Sequence, residues 1–116
     1  MATPLEIPPL AVKSLRDKAQ SGGGRKIELI DVRELAEHAT AAIDGAELIP
    51  MNTVPQRLQY LEGKADDATL VIFCHHGMRS LMVVNWLREQ GVADCVSMSG
   101  GIDQWTSDVD ASVPRY

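Results

Sequence analysis

Apolar residues change their spacing repeatedly along this chain, and each change marks a new element. Residues 70–73, Leu70-Val71-Ile72-Phe73, form an unbroken apolar run, the pattern of a strand buried on both faces. After Ser80 the period lengthens. Leu81 and Val84 lie three apart, and Val83 and Leu87 lie four apart, which predicts a helix that stops at Gly91. The segment between them is the loop Cys74-His75-His76-Gly77-Met78-Arg79-Ser80. Upstream, residues 5–7 predict a short edge strand stopped by Pro8-Pro9. Residues 10–20 predict a helix with Val12, Leu15 and Ala19 on one face, ended by Ser21-Gly22-Gly23-Gly24. Residues 26–32 are too densely apolar for a one-sided strand and predict a core strand. In the helix after it, Arg33 and Glu37 stand four apart and are expected to pair. Residues 46–49 predict a second short strand. Thr53 and Gln56 fit a capping box, with Pro55 in the first turn, opening a helix to Leu61 that Gly63 closes. Residues 64–68 then form a polar loop. Residues 95–98 predict another buried strand, and Gly100-Gly101 turns into a short helix carrying Ile102 and Trp105. Residues 107–116 are polar, include Pro114, and predict a loosely held tail.

This alternation predicts an α/β fold: a three-layer sandwich with a mostly parallel central sheet and right-handed crossovers. A length of 116 residues suits one domain spanning residues 1–116. The net charge of −5 argues against nucleic acid as the main partner, and an anionic substrate would have to be drawn by local charge. No apolar run approaches membrane-spanning length. The first residues lack both a basic region and a long apolar segment, so no signal peptide is expected. The two cysteines should not meet. Cys74 ends one strand and Cys95 opens the next, at opposite edges of a parallel sheet about 15–20 Å apart. A disulfide needs Cα atoms within about 7 Å. Cys95 is therefore expected to be a small buried apolar residue, and two free thiols fit a reducing compartment, the cytoplasm.

The loop after residue 73 carries the chemistry. A strand that feeds a helix through a short loop aims the loop's N–H groups and the helix's positive end at one point. Cys74 opens that loop. A helix N-terminus and a nearby cation, here Arg79, favour a thiolate, which is the nucleophilic form. Gly77 can turn with positive φ and leaves room for a ligand. The N–H groups from His75 to Ser80 would form an anion cradle with the nucleophile at its floor. The side chains of His75 and His76 would then point to the rim and shape acceptor docking, and Met78 would be a rim or packing residue. No metal is expected, because adjacent histidines and a cysteine have no second ligand cluster beside them. Asp31 falls at the strand edge where open α/β sheets bind ligands, either in a functional role or as a cap for the next helix. His38 is expected to be a packing residue. Arg79 could steady an anionic donor, or clamp the loop through a carboxylate such as Asp31.

Cys74-x-x-Gly77-x-Arg79-Ser80 after an apolar strand resembles the active-site loop of rhodanese domains. Leu29-Ile30-Asp31-Val32-Arg33, Glu37, Ile43-Asp44-Gly45-Ala46 and Ser99-Gly100-Gly101-Ile102 with Trp105 extend the resemblance over a core of about residues 5–106. The chain departs from the family's Gly-His-Ile-Pro-Gly-Ala at Ala41-Ala42-Ile43-Asp44-Gly45-Ala46. The resemblance implies the rhodanese fold and a sulfurtransferase. Cys74 would be catalytic, taking a sulfane sulfur from a small anionic donor such as thiosulfate as a persulfide. The acceptor would be a thiol, cyanide or a sulfur-carrier protein. His75, His76, Gly77, Met78, Arg79 and Ser80 would bind substrate, with Asp31 and Arg33 in support. No cofactor is implied.

Two other functions share this loop. Cysteine phosphatases and arsenate reductases use a similar cradle with five residues between Cys and Arg. Four separate Cys74 from Arg79 here, which favours a single sulfur atom over a tetrahedral phosphate. The other is a non-catalytic, persulfide- or anion-binding or regulatory rhodanese-like domain. The intact Cys74 argues against it.

Overall fold

The computed structural model describes residues 4–116; residues 1–3, on which the signal-peptide expectation partly rests, lie outside the described residues. Ten regular elements follow the chain: β1 (Glu6–Ile7), α1 (Pro9–Gln20), β2 (Lys26–Asp31), α2 (Leu35–Thr40), β3 (Glu47–Leu48), α3 (Leu58–Asp67), β4 (Ala68–Phe73), α4 (Met78–Glu89), β5 (Cys95–Met98) and α5 (Gly101–Asp108). The sheet order is β1-β5-β4-β2-β3, and every pairing is parallel. The expected α/β sandwich is therefore present.

The apolar run of β4 explains the layering. Side chains alternate across a strand. Leu70 and Ile72 enter one core with Leu61 of α3 and Val84 and Leu87 of α4. Val71 and Phe73 enter the other with Val12 of α1 and Ile102 and Trp105 of α5. Burial of each such side chain stabilises the fold by about 1.5–3 kcal/mol.

Register sets the position of the site. Asp31 pairs with Phe73, so β2 and β4 end side by side. Val32 N–H donates to the Phe73 carbonyl at 3.0 Å, just before Cys74. Asp31, Arg33 and Cys74 thus gather at the C-terminal edge of a parallel sheet, where such sheets bind ligands. Cys95 pairs with Leu70, about 13 Å back along the ladder from Cys74. Both thiols are free. Among the described residues, no helix is long and apolar enough to cross a membrane.

Several local expectations are corrected. The Thr53–Gln56 capping box does not form. Thr53 Oγ1 donates to the Pro50 carbonyl at 2.7 Å, and two 3₁₀ turns, Met51–Thr53 and Pro55–Arg57, lead into α3. Gly63 does not close that helix, which runs on to Asp67 and replaces the polar loop. Leu61 is buried, and packing outweighs the roughly 1 kcal/mol that an interior glycine costs a helix. The edge strand ends at Ile7, before Pro8-Pro9 as expected, and α1 starts one residue early, at Pro9, since the first helical position needs no N–H bond. Arg33 does not pair with the Glu37 carboxylate, because it turns into the interior onto Asp31. The tail is packed: Val113 joins the α1/α5 core, and the Tyr116 hydroxyl reaches Arg33 and Glu37.

Candidate active site

Cys74 leaves β4 with its side chain almost wholly buried, and its sulfur is the focus of the loop. Gly77 N–H donates to Sγ at 3.1 Å and Ser80 N–H at 3.4 Å. The Ser80 hydroxyl lies 3.5 Å from Sγ and 2.8 Å from the hydroxyl of Ser97 on β5. Gly77 is the N-cap of α4, with φ 109°, a left-handed conformation that side chains resist. The two sulfur-directed amides therefore stand at the N-terminus of a twelve-residue helix.

The loop's carbonyls are turned the other way. Ile102 N–H donates to the Cys74 carbonyl at 2.9 Å, and Asp103 N–H to the His75 carbonyl at 3.1 Å. The free amides of α5's first turn thus hold the back of the loop, while the Gly77 and Ser80 N–H groups face the sulfur. Gly101 permits this close approach. Its φ is 61°, and a Cβ there would collide with the carbonyl oxygens of Cys74 and His75.

Arg79 reaches α2. Its guanidinium grips Glu37 in parallel, Nη1 to Oε1 at 2.7 Å and Nη2 to Oε2 at 3.0 Å. The clamp expected through Asp31 therefore runs through Glu37 instead. The Arg79 guanidinium holds the Glu37 carboxyl well below the usual carboxylate range, and Glu37 in turn raises Arg79. Glu37 also caps α2 as one half of a capping box with Glu34, so one carboxylate ties α2 to the first turn of α4.

Asp31 and Arg33 form a second, fully buried pair beneath the loop. Asp31 Oδ1 accepts from the Arg33 backbone N–H and Nε, while Oδ2 accepts from Nη2 at 2.7 Å. His38 Nδ1 lies 2.9 Å from the same Oδ2, so His38 belongs to this network. Arg33 also donates to the Ala41 carbonyl at 2.6 Å. Burial works against the Arg33 charge, but its bonds to Asp31 and Tyr116 outweigh that and raise its pKa. The Asp31 and Arg33 side chains are both wholly buried.

The rim carries aromatic rings. His75 stacks on His76 at 3.9 Å and on Tyr116 at 4.0 Å. Burial, and then the neighbouring His76, lower the His75 pKa. Met78 is 74% exposed at the start of α4. Asp103 of α5 joins the two histidines, with ligand-type atoms of all three within 4.8 Å of one another. Arg115 lies 3.5 Å from Asp103.

All the residues expected in the loop come together here. Ser97 and Tyr116 are additions, and Glu37 and Gly101 of the matched pattern take part. Ser97 had a signal, a hydroxyl inside a strand buried throughout. Glu37 stood in the matched pattern but was assigned to the wrong arginine.

Fold and loop together define an α/β domain with a cysteine at the C-terminal edge of an all-parallel sheet. The chain belongs to the rhodanese-like domain family, whose sequence model matches residues 11–108. It is 35% identical over 104 residues to a probable adenylyltransferase/sulfurtransferase, MoeZ, of Mycobacterium tuberculosis, a match covering 90% of this chain and 26% of that protein. It is 29% identical over 100 residues to a putative sulfur carrier protein, YrkF, of Bacillus subtilis, covering 86% of this chain and 51% of that one. The chain thus spans about a quarter to a half of the length of these two curated relatives. Among solved structures, a rhodanese-like domain protein from Staphylococcus aureus superposes with a TM-score of 0.70 at 28% identity, over 100% of this chain and 99% of that one. The human single-domain sulfurtransferase TSTD1 superposes with a TM-score of 0.72 at 25% identity, over 91% and 98%.

Proposed function

We propose that this chain is a sulfurtransferase that carries a sulfane sulfur as a persulfide on Cys74. The observation that supports this most directly is the pair of N–H donors, from Gly77 and Ser80, aimed at Cys74 Sγ. Donors placed where negative charge sits or develops are the main electrostatic resource of such a site. The Cys74 thiolate attacks the outer sulfur of a donor such as thiosulfate. A new S–S bond forms, the donor's S–S bond breaks, and sulfite leaves with the electron pair. An acceptor nucleophile then attacks the outer sulfur of the persulfide, and the Cys74 thiolate leaves. No proton transfer is obligatory in either half. Ser80 supplies its N–H to the sulfur and sets its hydroxyl beside it, that hydroxyl being held between the Gly77 carbonyl and Ser97.

Arg79 acts as the loop's clamp through Glu37, with Asp31 and Arg33 as the buried footing of the same edge. His75, His76 and Met78 stand where an acceptor approaches. The acceptor is a thiol, cyanide or a sulfur-carrier protein, and the relatives named as a probable sulfurtransferase and a putative sulfur carrier protein support the last of these. A reducing compartment such as the cytoplasm would keep both thiols free. The test is thiocyanate formation from thiosulfate and cyanide by wild type and Cys74→Ser, alongside hydrolysis of an aryl phosphate. Turnover by wild type, its loss in C74S, and no phosphate hydrolysis are expected. Phosphate hydrolysis without thiocyanate would favour the phosphatase reading, and neither activity would favour a binding domain.

A further inference from the structure

We propose that Tyr116 is a positioning residue for the Cys74 loop: its hydroxyl holds Glu37 on Arg79, its ring holds His75 at the mouth, and it thereby sets how an anionic sulfur donor is received relative to a neutral one. This rests on the sulfur-transfer reading of Cys74. Four contacts converge on one side chain. The phenol donates to Glu37 Oε2 at 2.7 Å and accepts from Arg33 Nη1 at 2.9 Å. Its ring lies flat on His75, with 10° between the planes and 4.0 Å between centroids. The Arg33 guanidinium carbon sits 5.5 Å from the centre of the same ring. Tyr116 is therefore the bridge between the buried Asp31–Arg33 pair and the Glu37–Arg79 clamp.

The charge at the mouth depends on that bridge. Arg79 is the cation of the loop, and an approaching anion meets it cancelled for as long as Glu37 stays in place. Glu37 Oε2 takes two donors, Arg79 Nη2 and the Tyr116 hydroxyl. Without the hydroxyl, Glu37 keeps only its arginine and its bond within α2. Arg33 Nη1 is left with the Glu37 backbone carbonyl at 3.3 Å and lacks its better acceptor. The Glu37 carboxylate is the natural replacement, and moving towards Arg33 takes it off Arg79. The ring acts separately. His75 lies between His76 and Tyr116, stacked on both, and this leaves its imidazole half-buried. Partial desolvation, with His76 and Arg79 beside it, disfavours protonation against the pull of Asp103 and Glu37, so the ring helps keep a second cation away from the mouth.

The hydroxyl and the ring can be removed one at a time in the full chain. Tyr116→Phe keeps the stack and loses the bridge; Tyr116→Ala loses both. The first measurement is the rate of Cys74 alkylation by iodoacetate, an anion, and by iodoacetamide, which is neutral. The iodoacetate-to-iodoacetamide ratio should rise about threefold in Y116F, the scale of a partly screened charge effect. The KM for thiosulfate should fall in the same variant with kcat little changed. The second measurement is the NMR titration of His75. It should stay at the wild-type value in Y116F and move up towards the ordinary 6.5 in Y116A. An unchanged alkylation ratio in Y116F, or an unmoved His75 in Y116A, would overturn the proposal. Neither the alkylation ratio nor the His75 titration needs sulfur transfer. A protein that shows both shifts but takes no sulfur from any donor would sink the sulfur-transfer reading and keep Tyr116 as the residue that positions the loop.

Discussion

Glu37 lies across both terminal nitrogens of Arg79, at 2.7 and 3.0 Å, and joins α2 to the start of α4. The pair is partly open to solvent, with 34% of the Arg79 side chain and 20% of the Glu37 side chain exposed. Its contribution is accordingly below that of a buried pair. Arg79→Ala and Glu37→Gln should each cost about 1–2 kcal/mol by urea denaturation. The double variant should cost less than the two singles added together, since they break one interaction. Strict additivity would show that the two side chains act independently.

The same contact gives a pH dependence of known sign. A carboxyl whose pKa is depressed by folding stabilises the protein above its unfolded value of about 4.3 and loses that contribution as pH falls. Wild type should therefore lose stability below about pH 4, and E37Q should lose less over the same interval. Parallel stability curves for the two proteins would contradict this assignment.

Arg33 and Asp31 are both fully buried, so breaking that pair exposes no compensating water. Arg33→Ala leaves the buried Asp31 carboxylate with only His38 and the backbone N–H of residue 33, and should cost about 3 kcal/mol. Replacing both by apolar residues should cost less than R33A alone. An unchanged denaturation midpoint in R33A would remove the pair from the account of what holds the loop.

Cys74 and Cys95 differ in surroundings more than in burial. Cys95 sits inside β5, its S–H donates to the Val92 carbonyl at 3.3 Å, and burial pushes its thiol up. Cys74 lies in a loop with two amide donors on its sulfur. Iodoacetamide near neutral pH, followed by peptide mass mapping, should label Cys74 and spare Cys95 in the folded protein. Equal labelling would contradict the assignment of Cys74 as nucleophile.

Gly101→Ala should disturb the loop from behind. The new methyl would meet the carbonyls of Cys74 and His75, at a backbone angle that alanine resists. Stability should fall by about 1–3 kcal/mol, and Cys74 alkylation should change with it. A variant with wild-type stability and reactivity would show that the contact with α5 does not set the loop.

The central elements were legible because local signals and tertiary structure agree there. The run at 70–73 is apolar on alternate sides for two different cores, and Cys74, Gly77 and Arg79 follow at once. The family resemblance carried the same information across the chain. Arg33 was misplaced because spacing of four suggests a surface pair, while the real partner lies two residues back, inside the sheet. Thr53 looked like a cap, but the Pro50 carbonyl takes its hydroxyl. Tyr116 escaped notice because nothing in a polar tail signals a ring stacked on a loop forty-one positions earlier.

The central claim is that sulfur rests on Cys74. Intact mass spectrometry after incubation with thiosulfate and removal of excess donor measures this directly, with Cys74→Ser and Cys95→Ser beside wild type. Wild type and C95S should each gain the mass of one sulfur atom, C74S should gain none, and a thiol or cyanide should strip the gain away. No gain in wild type with any sulfane donor, or an equal gain in C74S, would contradict the account.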